Sequence, residues 1–81
     1  MDPYQTAQRA IADLKSAVYE LLKDAAEPMT NAEVGRSLGI YDGHNGQHEG
    51  HISRTILARL EGEGLIKQVK SRGGWVVIGR P

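Results

Sequence analysis

The stretch "HISRTILARLEGEGLIKQV", residues 51 to 69, changes its apolar spacing partway along. Ile52, Ile56, Leu57 and Leu60 recur at three- and four-residue steps, which places them on one side of an α-helix. Gly62 and Gly64 then interrupt the helical pattern. They are followed by "LIKQV" (65–69) and, across "KSRGG", by "WVVI" (75–78). Both runs are rich in β-branched or aromatic residues, and the segment between them contains two glycines. The spacing therefore predicts a helix over about 49–62 and a two-stranded hairpin over 65–78.

Working towards the N-terminus, residues 41–50 form the core of "YDGHNGQHEGH", where Gly43, Gly46 and Gly50 with Asn45 predict a loop. Before it, "MTNAEVGRSLG" carries Thr30 three residues ahead of Glu33, the signature of a reciprocal helix cap. Met29 and Val34 are spaced as a hydrophobic staple. A short helix over about 31–38 is expected, with Gly39 as its left-handed cap. The first predicted helix covers about 5–26: Ala7, Ile11, Leu14, Val18, Leu21, Leu22 and Ala25 share a side, and Glu27-Pro28 stops it. The expected fold is α+β and mainly α, three helices followed by a β-hairpin, forming one domain over 1–81.

A chain of 81 residues has room for one small core. Its 40% hydrophobic and 25% charged residues are those of an ordinary globular protein, and no apolar run approaches the ~20 residues that span a bilayer. Met1-Asp2-Pro3-Tyr4 lacks the features of a secretory signal, and there is no cysteine for a disulfide or a thiolate metal site, so a cytoplasmic setting is expected. Neither Ser53 nor Ser71 forms a recognisable nucleophile-base set with the histidines, and no phosphate-cradling loop occurs. We therefore expect neither an enzyme nor a bound cofactor or small-molecule substrate.

Net charge is zero, but its distribution is uneven. Residues 1–50 hold four basic residues against eight acidic, a balance of −4, and residues 51–81 hold six against two, +4. The second part is the one suited to an anionic partner.

The run "HISRTILARLEGEGLIKQV", with Ser-Arg early, an apolar repeat, Leu-Glu near the helix end and Gly-Leu-Ile leading into a strand, resembles the recognition helix and first wing strand of winged helix-turn-helix proteins. The likeness extends from the first helix to "WVVI". It implies a double-stranded DNA-binding module, with the third helix in the major groove and the wing on the backbone. A bacterial-type transcription regulator is its commonest use, and the DNA-targeting part of a larger protein is another. The loop of about ten residues between the second and third helices departs from the short turn usual in that superfamily. Winged helices also serve as protein docking units, which is the competing expectation. Either a homodimer or a longer parent polypeptide is compatible with the sequence.

On the third helix Gln47, His51, Arg54, Thr55 and Ala58 are expected opposite the apolar side. Arg54 can bind a guanine edge, Thr55 and Ala58 can meet a thymine methyl, and Gln47 or His51 can reach a base or phosphate. Arg59 at the margin suits the phosphate backbone. In the hairpin Lys67 and Lys70 are candidates for phosphates, and Arg72 for a narrow groove. Lysine on an exposed strand also guards against sheet association, and a polar helix face can be merely solvated. Trp75 is expected mainly to close a core without phenylalanine, with base stacking as the competing role. Tyr4 and Tyr19 are expected to pack at the helix edge.

His44, His48 and His51 leave three readings open. On one continuous helix they would share a side and, with Asp42 or Glu49, hold a metal, but the glycines oppose that helix. They can instead sit incidentally in a solvated loop. Alternatively the loop orders against a partner, with His48 and His51 beside the positive end of the third helix, where a phosphate is favoured.

Overall fold

A computed structural model of the chain describes residues 2–44, 47–69 and 73–81, with the backbone alone for 42–44 and 47–49. Helix α1 runs over Pro3–Asp24, α2 over Asn31–Ser37 and α3 over His51–Gly62. Strands β1 (Asp42–His44) and β2 (Gln47–Glu49) lie between α2 and α3, and β3 (Ile66–Val69) and β4 (Gly74–Val77) follow α3. Three helices followed by an antiparallel hairpin make a mainly helical, winged-helix-like layout.

The ends of the helices follow local chemistry. The Asp2 carboxylate accepts from the Gln5 backbone N–H at 2.8 Å, and Pro3 occupies the first helical position, where its missing N–H costs nothing. α1 therefore starts two residues earlier than the apolar pattern suggests. It stops at Asp24, because Ala25 already adopts an extended backbone three residues ahead of Pro28. At α2 the expected capping box forms: the Glu33 N–H donates to the Thr30 hydroxyl at 3.2 Å, and the Thr30 N–H donates to the Glu33 carboxylate at 2.9 Å. Both α2 and α3 end in Schellman motifs. After α3, Leu65 N–H donates to Leu60 and Gly64 N–H to Glu61, with Gly64 at φ +77°. After α2, Gly39 holds the matching place at φ +71°, as its position predicts.

The core is a single cluster of Val18, Tyr19 and Leu22 from α1, Val34 from α2, Ile56, Leu57 and Leu60 from α3, and Leu65 and Ile66. Complete burial of each such aliphatic side chain stabilises the fold by roughly 1.5–3 kcal/mol. Tyr19 is a core residue whose hydroxyl donates to the Gly79 carbonyl at 2.8 Å, tying the end of the chain to α1. Tyr4, by contrast, is 73% exposed and packs no helix edge.

β3 and β4 pair Ile66 with Val77, Lys67 with Val76, Gln68 with Trp75 and Val69 with Gly74. On the other edge of β4, Trp75 exchanges two backbone hydrogen bonds with Met29, at 2.7 and 3.3 Å, which docks the hairpin on the α1–α2 connection. Trp75 is half-buried against the core cluster, the packing role expected of it.

Two expectations are corrected. The segment 41–50 is not a plain loop, since β1 and β2 pair Asp42 with Glu49, Gly43 with His48 and His44 with Gln47. Backbone hydrogen bonds hold such a ribbon without the alternating side chains that advertise most strands. The core side of α3 is also rotated. Ile52 is 45% exposed, while Ser53 is wholly buried with Ile56, Leu57 and Leu60 at the i, i+3, i+4, i+7 positions.

Candidate nucleic-acid interface

The start of α3 is locked to α2 by a polar knot. The Ser53 hydroxyl lies 2.8 Å from the Asn31 side-chain oxygen and donates to it, while the Asn31 amide donates to the Gly50 carbonyl at 3.2 Å. A wholly buried hydroxyl is tolerated in the core because these partners satisfy it. Alongside, the Tyr41 ring fits against two glycines. A Cβ on Gly35 would stand 2.8 Å from Tyr41 Cβ, and one on Gly50 3.0 Å from the ring and 2.3 Å from the Asn31 amide. The Arg36 guanidinium lies 4.9 Å from the centre of that ring, a cation–π distance. Thus α2, Tyr41 and α3 are fixed to one another where the β1–β2 ribbon leaves and rejoins the helices.

With Ser53, Ile56, Leu57 and Leu60 turned inward, His51, Arg54, Thr55, Ala58 and Arg59 are all exposed on α3. His51, Thr55 and Ala58 occupy the middle of the outer side. Arg54 and Arg59 flank it, about 140° apart at 100° per residue. Neither arginine is in an ion pair with another described residue. The Thr55 hydroxyl donates to the His51 carbonyl at 2.8 Å, so Thr55 offers mainly its methyl group outward. Glu61, exposed two turns beyond Arg54 on the same flank, ends the cationic stretch. Glu63 is engaged by Lys15 of α1.

The other candidates are placed differently. Gln47 and His48 lie on β2 and not on the helix, which begins at His51 because Gly50 takes the N-cap position. The expected place of Gln47 on the outer side of α3 is therefore corrected. His44 lies on β1, His48 on β2 and His51 on α3, so the three do not share one continuous helix, and the side chains of His44 and His48 lie outside the described residues. Among the described residues no cluster of metal-ligating side chains occurs.

Lys67 is exposed on β3. Alternation along the strand puts it, with Val76, on the face of the hairpin opposite to Ile66, Trp75 and Val77. Lys70 and Arg72 lie outside the described residues. The structure thus brings five of the ten candidates together on α3 and sets Lys67 on a separate element.

Sequence reasoning missed Ser53 and Asn31. The signal for Ser53 was available: 53, 56, 57 and 60 match a helical face as well as 52, 56 and 60 do, with one polar member. Among the described residues no helix is long and apolar enough to cross a membrane. Comparison with protein-family models, curated proteins and solved structures finds no match to this chain.

Proposed function

We propose that the chain binds double-stranded DNA as a member of the winged helix-turn-helix superfamily, with α3 in the major groove and the β3–β4 hairpin against the backbone. The observation that carries this reading is the outer side of α3. Thr55 and Ala58 are small enough for close approach to base edges, and Arg54 and Arg59 stand on either side without an acidic partner among the described residues. The knot of Ser53, Asn31 and Gly50 supports it further, since a helix that reads bases needs a fixed angle to the rest of the domain. Lys67 adds a phosphate contact from the hairpin. Such a module serves as a transcription regulator or as the DNA-targeting part of a larger protein.

Selection of bound sequences from a random duplex pool tests binding and specificity together. With the site so found, Arg54→Ala is expected to weaken binding by about 1–3 kcal/mol and to relax preference at one base pair. Arg59→Ala is expected to weaken all sequences alike. No binding to mixed duplexes at low salt, with the fold intact, would refute the proposal and favour a protein-docking module. Zero net charge and the exposed Ile52 are the features that suit that second reading.

A further inference from the structure

The outer side of α3 is poorer in hydrogen-bonding groups than its sequence suggests. Ile52, Thr55 and Ala58 are all exposed and follow one another at three-residue steps, an oblique ridge across that side of the helix. The Thr55 hydroxyl donates to the His51 carbonyl at 2.8 Å, which leaves its methyl group for the surface. Ile52 is 45% exposed because Ser53 takes the inward place, and it gives the ridge a large apolar end. An open groove of about 300 Å³ backs that end, with Ile11 and Leu14 of α1 on its far side. The ridge is therefore three methyl-bearing side chains in succession, with no donor free to point outward.

We infer that this ridge reads duplex DNA through the 5-methyl groups of pyrimidines in the major groove, Ile52 meeting one methyl and Thr55 another. Thymine carries that group, and 5-methylcytosine carries it at the same ring position. The inference rests on the DNA reading and deepens it: the ligand is a duplex whose methylated pyrimidines face α3. Ile52, which the apolar spacing assigns to the core, thereby belongs to the interface.

Charge and spacing name this occupant. Arg54 and Arg59 border the ridge without an acidic partner among the described residues, and Arg59, seven residues beyond Ile52, stands about 20° from its line at 100° per residue. What covers the ridge is thus anionic at its edges and apolar between them. The major groove presents that combination at thymine, where methyl groups lie between two rows of phosphates. Neighbours on the ridge are about 5–6 Å apart, between one and two base-pair steps of about 3.4 Å, so Ile52 and Thr55 can serve adjacent or alternate pairs.

Deoxyuridine in place of thymine removes the methyl group and keeps the pairing with adenine. In the duplex that selection yields, replacing thymines one at a time is expected to weaken binding about fourfold at two positions, the worth of one buried methyl each, and to leave the others unchanged. At those positions 5-methylcytosine paired with guanine is expected to bind about fourfold better than cytosine. Thr55→Ser keeps the hydroxyl and loses only the methyl, so it should no longer distinguish thymine from uracil at one position. Ile52→Ala should lose the distinction at the other. The measurements on the unaltered chain require neither variant to fold. A chain that binds its duplex equally well with every thymine replaced overturns the inference and leaves the DNA reading standing, and so does a selected site without thymine. Uracil sensitivity that persists in both variants overturns the assignment to this ridge. Unchanged affinity of Ile52→Ala for every duplex leaves that side chain to a protein partner and overturns its place here. A chain that binds no duplex overturns the DNA reading, and this inference with it.

Discussion

Ser53 is the residue on which the position of α3 turns. Its hydroxyl is the one polar side chain wholly buried among the described residues, and Asn31 satisfies it from the start of α2. Ser53→Ala leaves the Asn31 oxygen without its donor, and we expect a loss of about 1–2 kcal/mol in urea unfolding. Thr55→Ala, two residues along the same helix, removes a hydroxyl that bonds only the exposed His51 carbonyl, and should stay within about 0.5 kcal/mol. Equal losses for the two would show that the knot contributes nothing particular. The residue scale also holds an ionisation effect at Glu33. The Glu33 carboxylate accepts from the Thr30 backbone N–H, then from its side chain, and lies near Arg36, so its pKa is lowered. A lowered folded pKa means that its contribution is present above the unfolded value and is lost as pH falls through the folded one. Thr30→Ala removes one arm of the capping box and should cost about 1 kcal/mol. In that variant the Glu33 titration, followed by carbon-detected NMR, should move part of the way back towards the ordinary glutamate value.

At the scale of elements, the helices were legible because their signals are local. The capping box fixes where α2 begins, Gly39 and Gly64 fix where α2 and α3 end, and the three- and four-residue steps of α1 survive a two-residue error at each end. The β1–β2 ribbon was not legible. Its sequence of glycines and polar residues reports only that a helix is disfavoured, and strand pairing held by backbone groups leaves no period to read. The outward side of α3 was legible for Arg54, Thr55 and Ala58, but the inward turn of Ser53 in place of Ile52 goes with its bond to Asn31, 22 residues away. Gly35 tests how tightly the α2–Tyr41–α3 junction is packed. Alanine in place of a helix glycine ordinarily gains up to about 1 kcal/mol. Here the added Cβ meets Tyr41 Cβ at 2.8 Å, an atom that cannot swing away without moving the backbone. We expect overpacking to win and Gly35→Ala to lower stability by about 1–2 kcal/mol, read as a lower thermal midpoint.

At the scale of the whole molecule, the uneven charge of the chain bears on function only through folding. The four acidic charges in excess over residues 1–50 and the four basic ones over 51–81 are a statement about sequence, whereas a polyanion meets surfaces. α1 and α3 already mix the two halves where Lys15 meets Glu63. DNA binding through Arg54, Arg59 and Lys67 together should make the logarithm of affinity fall with the logarithm of salt concentration, with a slope of about −0.9 for each phosphate engaged. Lys67→Ala should reduce that slope by about one. A slope near zero would mean that binding, if found, does not use these cations.

The sequence by itself determined the number, order and type of the helices and of the β3–β4 hairpin, because periodicity, caps and glycine breaks act within a few residues. Only the tertiary structure decided that Ser53 is inside and Ile52 outside, that Asp42–His44 pairs with Gln47–Glu49, and that Tyr4 stands in solvent. The first and last of these depend on what lies across the core from each side chain, and that is set by residues far away in the chain.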